Sequence, residues 1–217
     1  MPPMLRLFED VLSTDAEISL PAGPRMIFVV HGSIAIAGRV WRDDEAWSGE
    51  AAVALKAGSA GAAVWRWELA VGTSDGASHA AGVTSRVKLS APLETLPRGA
   101  LILRGDSVAF PPGGCAYLHR HQGPGIRCLI EGGIRIDAGG YSTSYGPGGP
   151  WYESGPEPVF AQAADRPTRF VRVMLVPAAY LGKSSVEYLR EEDKAKPKTQ
   201  QYKIYADMPI AFVAATA

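Results

Sequence analysis

Two of the four histidines in this 217-residue sequence stand together, in Tyr117-Leu-His-Arg-His. His119 and His121 are spaced i, i+2. On a strand that spacing puts both imidazoles on one face and Leu118 and Arg120 on the other. Two neutral imidazoles aimed into one space supply part of the shell of a divalent transition metal such as Fe, Mn, Ni or Zn. Gln122 follows the pair directly. Glu153, in Trp151-Tyr-Glu-Ser-Gly, offers an anionic oxygen, and two imidazoles with one carboxylate form a set that suits non-haem Fe(II). The candidate metal residues are therefore His119, His121, Gln122 and Glu153. Glu153 is also a candidate for moving a proton; the simpler reading is a cap or ion pair within its own turn. Arg127, pointing inward, would clamp a substrate carboxylate with its planar fork; pointing outward, it is a surface strand residue. Tyr117, Trp151 and Tyr152 offer aromatic walls for a pocket, or simply core.

The remaining reactive residues point to less. His31 precedes Gly32 at an expected strand end and reads as a local structural residue. His79 falls in a polar stretch and reads as solvated. Cys115 and Cys128 are two cysteines in a chain of this size, too few for a disulfide scaffold, and read as reduced, small hydrophobes. Gly146-Pro-Gly-Gly-Pro lacks the Lys-Ser/Thr and the helix of a phosphate loop. No Gly-x-Ser-x-Gly nucleophile elbow is present.

The elements that must position these residues are strands. Runs rich in Val, Ile, Phe and Trp recur between Gly, Pro, Asp and Ser: Met26–Val30, Ser33–Ile36, Ala63–Leu69, Ala100–Leu103, Ile126–Ile130, Ile134–Ile136 and Arg169–Val176. Helical periods are scarce; the best is 185–194, where Val186 and Leu189 form a short stripe. This spacing of strands and turns predicts an all-β sandwich or barrel.

The pattern also repeats. Shifted by about 100 positions, Gly23, Pro24 and Gly32 meet Gly123, Pro124 and Gly132, and Ile34 and Ile36 meet Ile134 and Ile136. With a small insertion Trp47 meets Trp151, and at a slightly larger shift Arg66 meets Arg172 and Leu69 meets Leu175. Two similar β-modules are predicted, with 72–84 as the linker region. The same shift puts Ser19 and Pro21 opposite His119 and His121, so the first module is expected to hold no metal.

Gly113, the five residues up to His119, one more to His121, a Gly-Pro turn and a strand ending at Gly132 resemble the first motif of the cupin family. The stretch from Gly140 to Glu153, with Pro147 and Gly149, resembles the second. With the repeat, the sequence resembles a bicupin over roughly residues 10–180. The resemblance implies two β jelly-roll barrels, with a divalent metal in the mouth of a barrel that keeps its ligands. Two departures are visible. The family's glutamate ligand would fall at Gly125 or Ile126, and its second-motif histidine near Tyr152. The expected organisation is a metal-free barrel at 1–84, a metal-binding barrel at 85–182, and a C-terminal tail at 183–217 that serves as a dimer arm.

Composition narrows the function classes. The 22 basic and 22 acidic residues leave no net charge, which disfavours nucleic acid as a partner. No apolar run reaches the ~20 residues of a membrane span. Met1-Pro-Pro-Met-Leu-Arg lacks the pattern of a secretory leader, so a cytoplasmic location is the expectation. The 24 Gly and 17 Pro amid 47% apolar residues mark a folded chain with many turns. The leading reading is a metal-dependent enzyme acting on a small organic molecule, an oxygenase or otherwise a lyase or isomerase, working as a homodimer. The alternative is a non-catalytic cupin that binds or senses a small molecule.

Overall fold

A computed structural model describes residues 2–70 and 80–212. His79, most of the expected linker and the last residues of the chain lie outside the described residues. The chain divides into two compact units, Met1–Leu93 and Glu94–Ala217.

The first unit is built on one seven-stranded antiparallel sheet. Its strands are β1 (Met4–Leu12), β2 (Glu17–Leu20), β3 (Arg25–Ile36), β4 (Arg39–Arg42), β5 (Ala46–Gly49), β6 (Val53–Ala70) and β7 (Val83–Pro92). The order is β4-β3-β6-β1-β7, with β2 added on β6 and β5 on β3. The two predicted runs 26–30 and 33–36 are thus one strand. His31 lies inside it, between two register shifts, with an exposed ring near Asp43. Gly32 adopts φ +86, and a Cβ there would lie 2.3 Å from the Gly61 carbonyl oxygen, so only glycine suits this crossing of β3 and β6. Ile18, Ile27, Ile34, Leu55 and Val64 form an apolar interior.

The second unit packs two five-stranded antiparallel sheets. Its strands are β8 (Leu101–Phe110), β9 (Cys115–His121), β10 (Gly125–Glu131), β11 (Ile134–Ala138), β12 (Tyr141–Tyr145), β13 (Pro150–Glu153), β14 (Val159–Ala163), β15 (Thr168–Pro177), β16 (Val186–Tyr188) and β17 (Gln201–Ile210). The orders are β13-β10-β15-β8-β17 and β12-β11-β14-β9-β16. Val108, Leu129, Trp151 and Phe170 from one sheet meet Ile134, Ile136 and Val159 from the other. Side chains from two inner faces filling one space is the sandwich solution to burying two apolar sheet faces.

Strand pairing reveals the duplication directly. Ile27 of β3 lies opposite Arg66 of β6 and Trp47 of β5. Arg127 of β10 lies opposite Arg172 of β15 and Trp151 of β13. The turn glycine Gly132, φ +84, matches Gly32 in conformation.

Two expectations change. Residues 185–194 are not one helix: Val186–Tyr188 pairs with β9, and only Glu191–Ala195, α1, is helical. The open edge of β9 offers main-chain hydrogen bonds, and these outweigh a two-residue apolar stripe. The segment after residue 182 is woven into the second unit: β17 pairs along the whole of β8. Among the described residues, no helix is long and apolar enough to cross a membrane.

Candidate functional site

The polar groups of interest lie inside the second unit. β9 carries both histidines inward, and both are buried. His119 Nδ1 lies 2.7 Å from the Tyr117 carbonyl oxygen. That contact calls for a proton on Nδ1 and leaves the Nε2 lone pair facing the interior. His119 Nε2 and His121 Nε2 are 3.2 Å apart. Burial pushes both imidazole pKa values down, that of His121 well below its usual range, which keeps the rings neutral at pH 7.

Glu153 reaches the same place from β13. Its Oε2 lies 3.2 Å from His121 Nε2 and 2.7 Å from an Arg127 terminal nitrogen. Trp151 Nε1 donates to Oε1 at 2.8 Å. Burial raises the carboxyl pKa, but the Arg127 guanidinium and the His121 imidazole outweigh it and hold the group well below the usual carboxylate range. Arg127 is fully buried and also donates to the Gly125 carbonyl at 2.7 Å; burial lowers its pKa to about 10, so it stays charged at neutral pH.

Glu153 is paired across the sheet with Gly125, one of the two positions where the cupin pattern would place a glutamate. A Cβ at Gly125 would lie 2.4 Å from the Val173 carbonyl oxygen. β10 therefore has no room for a side chain here, and a carboxylate arrives from the neighbouring strand instead.

Three expected residues are placed elsewhere. Gln122 lies beyond the end of β9, turned away from the interior, with its amide donating to Glu187 at 3.2 Å. Tyr152 alternates with the buried Trp151 and Glu153 and faces the other side of β13. Tyr117 would face inward by strict alternation, but the β9–β14 ladder slips between Val159 and Ala161. That bulge turns Ala116 into the interior instead, and the Tyr117 ring packs under Lys196. Tyr117 serves through its carbonyl.

Arg172, whose strand was expected but not its role, completes the charged interior. It grips Asp106 of β8 through two bonds, 2.6 and 3.1 Å. Tyr188 and Tyr202 also wall the interior, together with Phe110, Ile136 and Trp151. The free volume is about 20 Å³, room for one water or one ion.

The donor set answers whether an ion fits. Ions bound at about 2.0–2.2 Å place adjacent donors about 3 Å apart, which the imidazole pair matches. Glu153 Oε2 is buried and accepts no well-aligned hydrogen bond, so it too is available. Yet it is shared with Arg127, and among the described residues no group of three or more His, Cys, Asp or Glu side chains stands ready to hold an ion. Two donors are in place and the third leans on a guanidinium.

The first unit lacks this set. By pairing register Ile27 and Gly49 stand where Arg127 and Glu153 stand in the second unit. Its buried charges are ion pairs instead: Arg66 holds Asp10 at 2.6 and 3.1 Å, and Arg66 and Arg25 share Glu68 at 2.8 and 2.9 Å.

No family model matches the chain, and no curated protein matches its sequence. Solved structures do match. The oxalate decarboxylase–formate complex from Lactobacillus farciminis aligns with TM-score 0.63 over 88% of this chain and 82% of that one, at 12% identity. A single-substitution variant of the Bacillus subtilis oxalate decarboxylase gives 0.63 over 88% and 73%, at 12% identity. The cupin 2 conserved barrel domain protein from Leptotrichia buccalis gives 0.51 over 80% and 84%, at 13% identity. At such identities the likeness is one of fold, and it agrees with the duplicated strand register: this chain has a bicupin-like fold.

Proposed function

We propose that the second unit is a metal-dependent site acting on a small organic molecule, with His119 and His121 holding a divalent transition metal and Glu153 as the third side-chain donor. The observation that carries this reading is the 3.2 Å approach of two Nε2 atoms, with a third anionic donor 3.2 Å from His121. A bound ion supplies Lewis acidity to the substrate. The chain's own residues do the rest. The Tyr117 carbonyl fixes the His119 tautomer. Trp151 and Arg127 orient the Glu153 carboxylate and keep it ionised. The apolar wall excludes water. If the ion is iron, two imidazoles and one carboxylate suit oxygenase chemistry; decarboxylation of a small acid, the activity named for the similar folds, is the next class to screen. Titration of the metal-free chain with Fe(II), Mn(II), Ni(II) and Zn(II) by calorimetry tests the site. One ion per chain is expected in the unaltered protein, with affinity at least 100-fold weaker in His121→Ala. Equal affinity in the two would overturn the assignment.

A second reading is favoured by one observation, the Arg127 guanidinium 2.7 Å from Glu153 Oε2. In it the guanidinium is the resident cation and the unit is a metal-free small-molecule binder. The same titration separates the two, since a binder takes up no ion in either protein.

A further inference from the structure

The inner space of about 20 Å³ is too small for an organic ligand. Beside it, in the same unit, lies a cavity of about 410 Å³, a volume typical of small-molecule sites. Arg172, Val186, Tyr188 and Tyr202 wall both spaces. We propose that this outer cavity is the ligand-binding chamber of the site and that it selects an organic anion with an aromatic or bulky apolar body. The proposal rests on reading the second unit as a small-molecule site and names its ligand class.

Charge gives the sign of the ligand. Four cations, Arg104, Arg172, Lys183 and Lys198, line the chamber with two carboxylates, Asp106 and Asp207. Asp106 is held by Arg172 and Asp207 by Arg104, so both carboxylates are committed. Among the described residues, Lys198 donates only to main-chain carbonyls, those of Asp193, Lys194 and Lys196, and lies over the Tyr188 ring at 4.4 Å. The Lys183 ammonium has no carboxylate partner among the described residues. The chamber thus carries two positive charges without a counter-ion from those residues, and an anion entering it replaces solvent as their partner.

Shape gives the body of the ligand. Tyr202 and Ile204 are two apart on β17 and share a face; they are 49% and 56% exposed, large apolar side chains left open to solvent. Val186 and Tyr188 of β16 line the same cavity. A flat apolar group set among these residues covers surface that is otherwise wet, at about 25 cal/mol per Å². Every one of these apolar walls comes from the segment after residue 182, so that segment is the specificity element of the site.

The test uses the full chain and two isosteric probes, 2-naphthoate and 2-naphthamide, with binding followed by calorimetry. The carboxylate is expected to bind at least tenfold tighter than the amide. Lys183→Met is expected to weaken naphthoate about fivefold and leave naphthamide unchanged; Ile204→Glu is expected to weaken both. Each position is exposed, and an unchanged thermal midpoint verifies the fold. Equal affinity for acid and amide, no binding of either by folded protein, or naphthoate binding indifferent to both substitutions would each overturn the proposal. Metal content of the same samples separates the two readings. Naphthoate selection in a chain that takes up no ion upholds the chamber while the metal assignment falls; a metal-loaded chain that ignores naphthoate does the reverse.

Discussion

Trp151 and Glu153 show how much the site depends on single bonds. The indole N–H is the donor that holds Oε1 at 2.8 Å, leaving Oε2 to the imidazole and the guanidinium. Trp151→Phe keeps an aromatic ring but removes a hydrogen bond to a charged acceptor, worth about 1.5–3 kcal/mol; a loss of that size in urea unfolding is expected, with metal affinity reduced about tenfold or more. An unchanged affinity would take Trp151 out of the site's support. Asp106→Asn leaves Arg172 buried without its counter-charge, and such broken pairs cost about 3–5 kcal/mol; the urea midpoint measures it. The histidines set a pH dependence. Their folded pKa values lie below the ordinary 6.5, so below that value the unfolded chain binds protons the folded one refuses. In chelator-treated protein, stability is expected to be fully present above about pH 6.5 and to fall as the pH drops beneath it; a flat profile from about pH 7 to 5 would contradict the buried neutral pair. The His-x-His spacing was legible in sequence because strand alternation is a strict period of two. The role of Tyr117 was not, because a bulge in β9 breaks that period. Gln122 was misplaced because its position beyond the strand end is set by the turn at Gly123-Pro124.

At the scale of elements, strands with dense apolar runs, such as β3, β6, β10 and β15, were visible in the sequence, while strands of polar or mixed pattern, such as β7 and β12, were not. β12, Tyr141–Tyr145, is almost wholly exposed apart from Tyr145 and has no hydrophobic signature; its neighbour β11 recruits it by main-chain pairing. The same holds for β16 and β17, which no repeat in the first half foreshadows. Their strands pair with β9 and β8 of their own chain, so one edge of each is used within the unit while the other lies at the end of its sheet. A chain ended at residue 182 exposes the edges of β8 and β9. Light scattering is expected to show larger species and a lowered thermal midpoint, because open strand edges invite pairing; a truncated chain of unchanged stability would show that β17 is dispensable to the barrel.

Across the whole molecule, duplication explains the fold and divergence explains the site. The shift that aligns the sequence halves also aligns strand registers, since Ile27–Arg66–Trp47 and Arg127–Arg172–Trp151 occupy the same ladder positions. Sequence could assign the histidines to one copy by direct comparison. It could not show that Glu153 faces Gly125, because that pairing joins residues from separate strands and exists only in the assembled sheet. One copy keeps its buried charges as ion pairs that link Arg25, Glu68, Arg66 and Asp10; the other gathers two imidazoles, a carboxylate and two guanidinium groups around a space the size of an ion. The most direct test of that contrast is elemental analysis of the purified full chain beside its His119→Ala/His121→Ala variant. The account predicts close to one transition-metal ion per chain in the first and none in the second. An unaltered chain that carries no metal after exposure to each candidate ion, or a variant that retains its full complement, would contradict it.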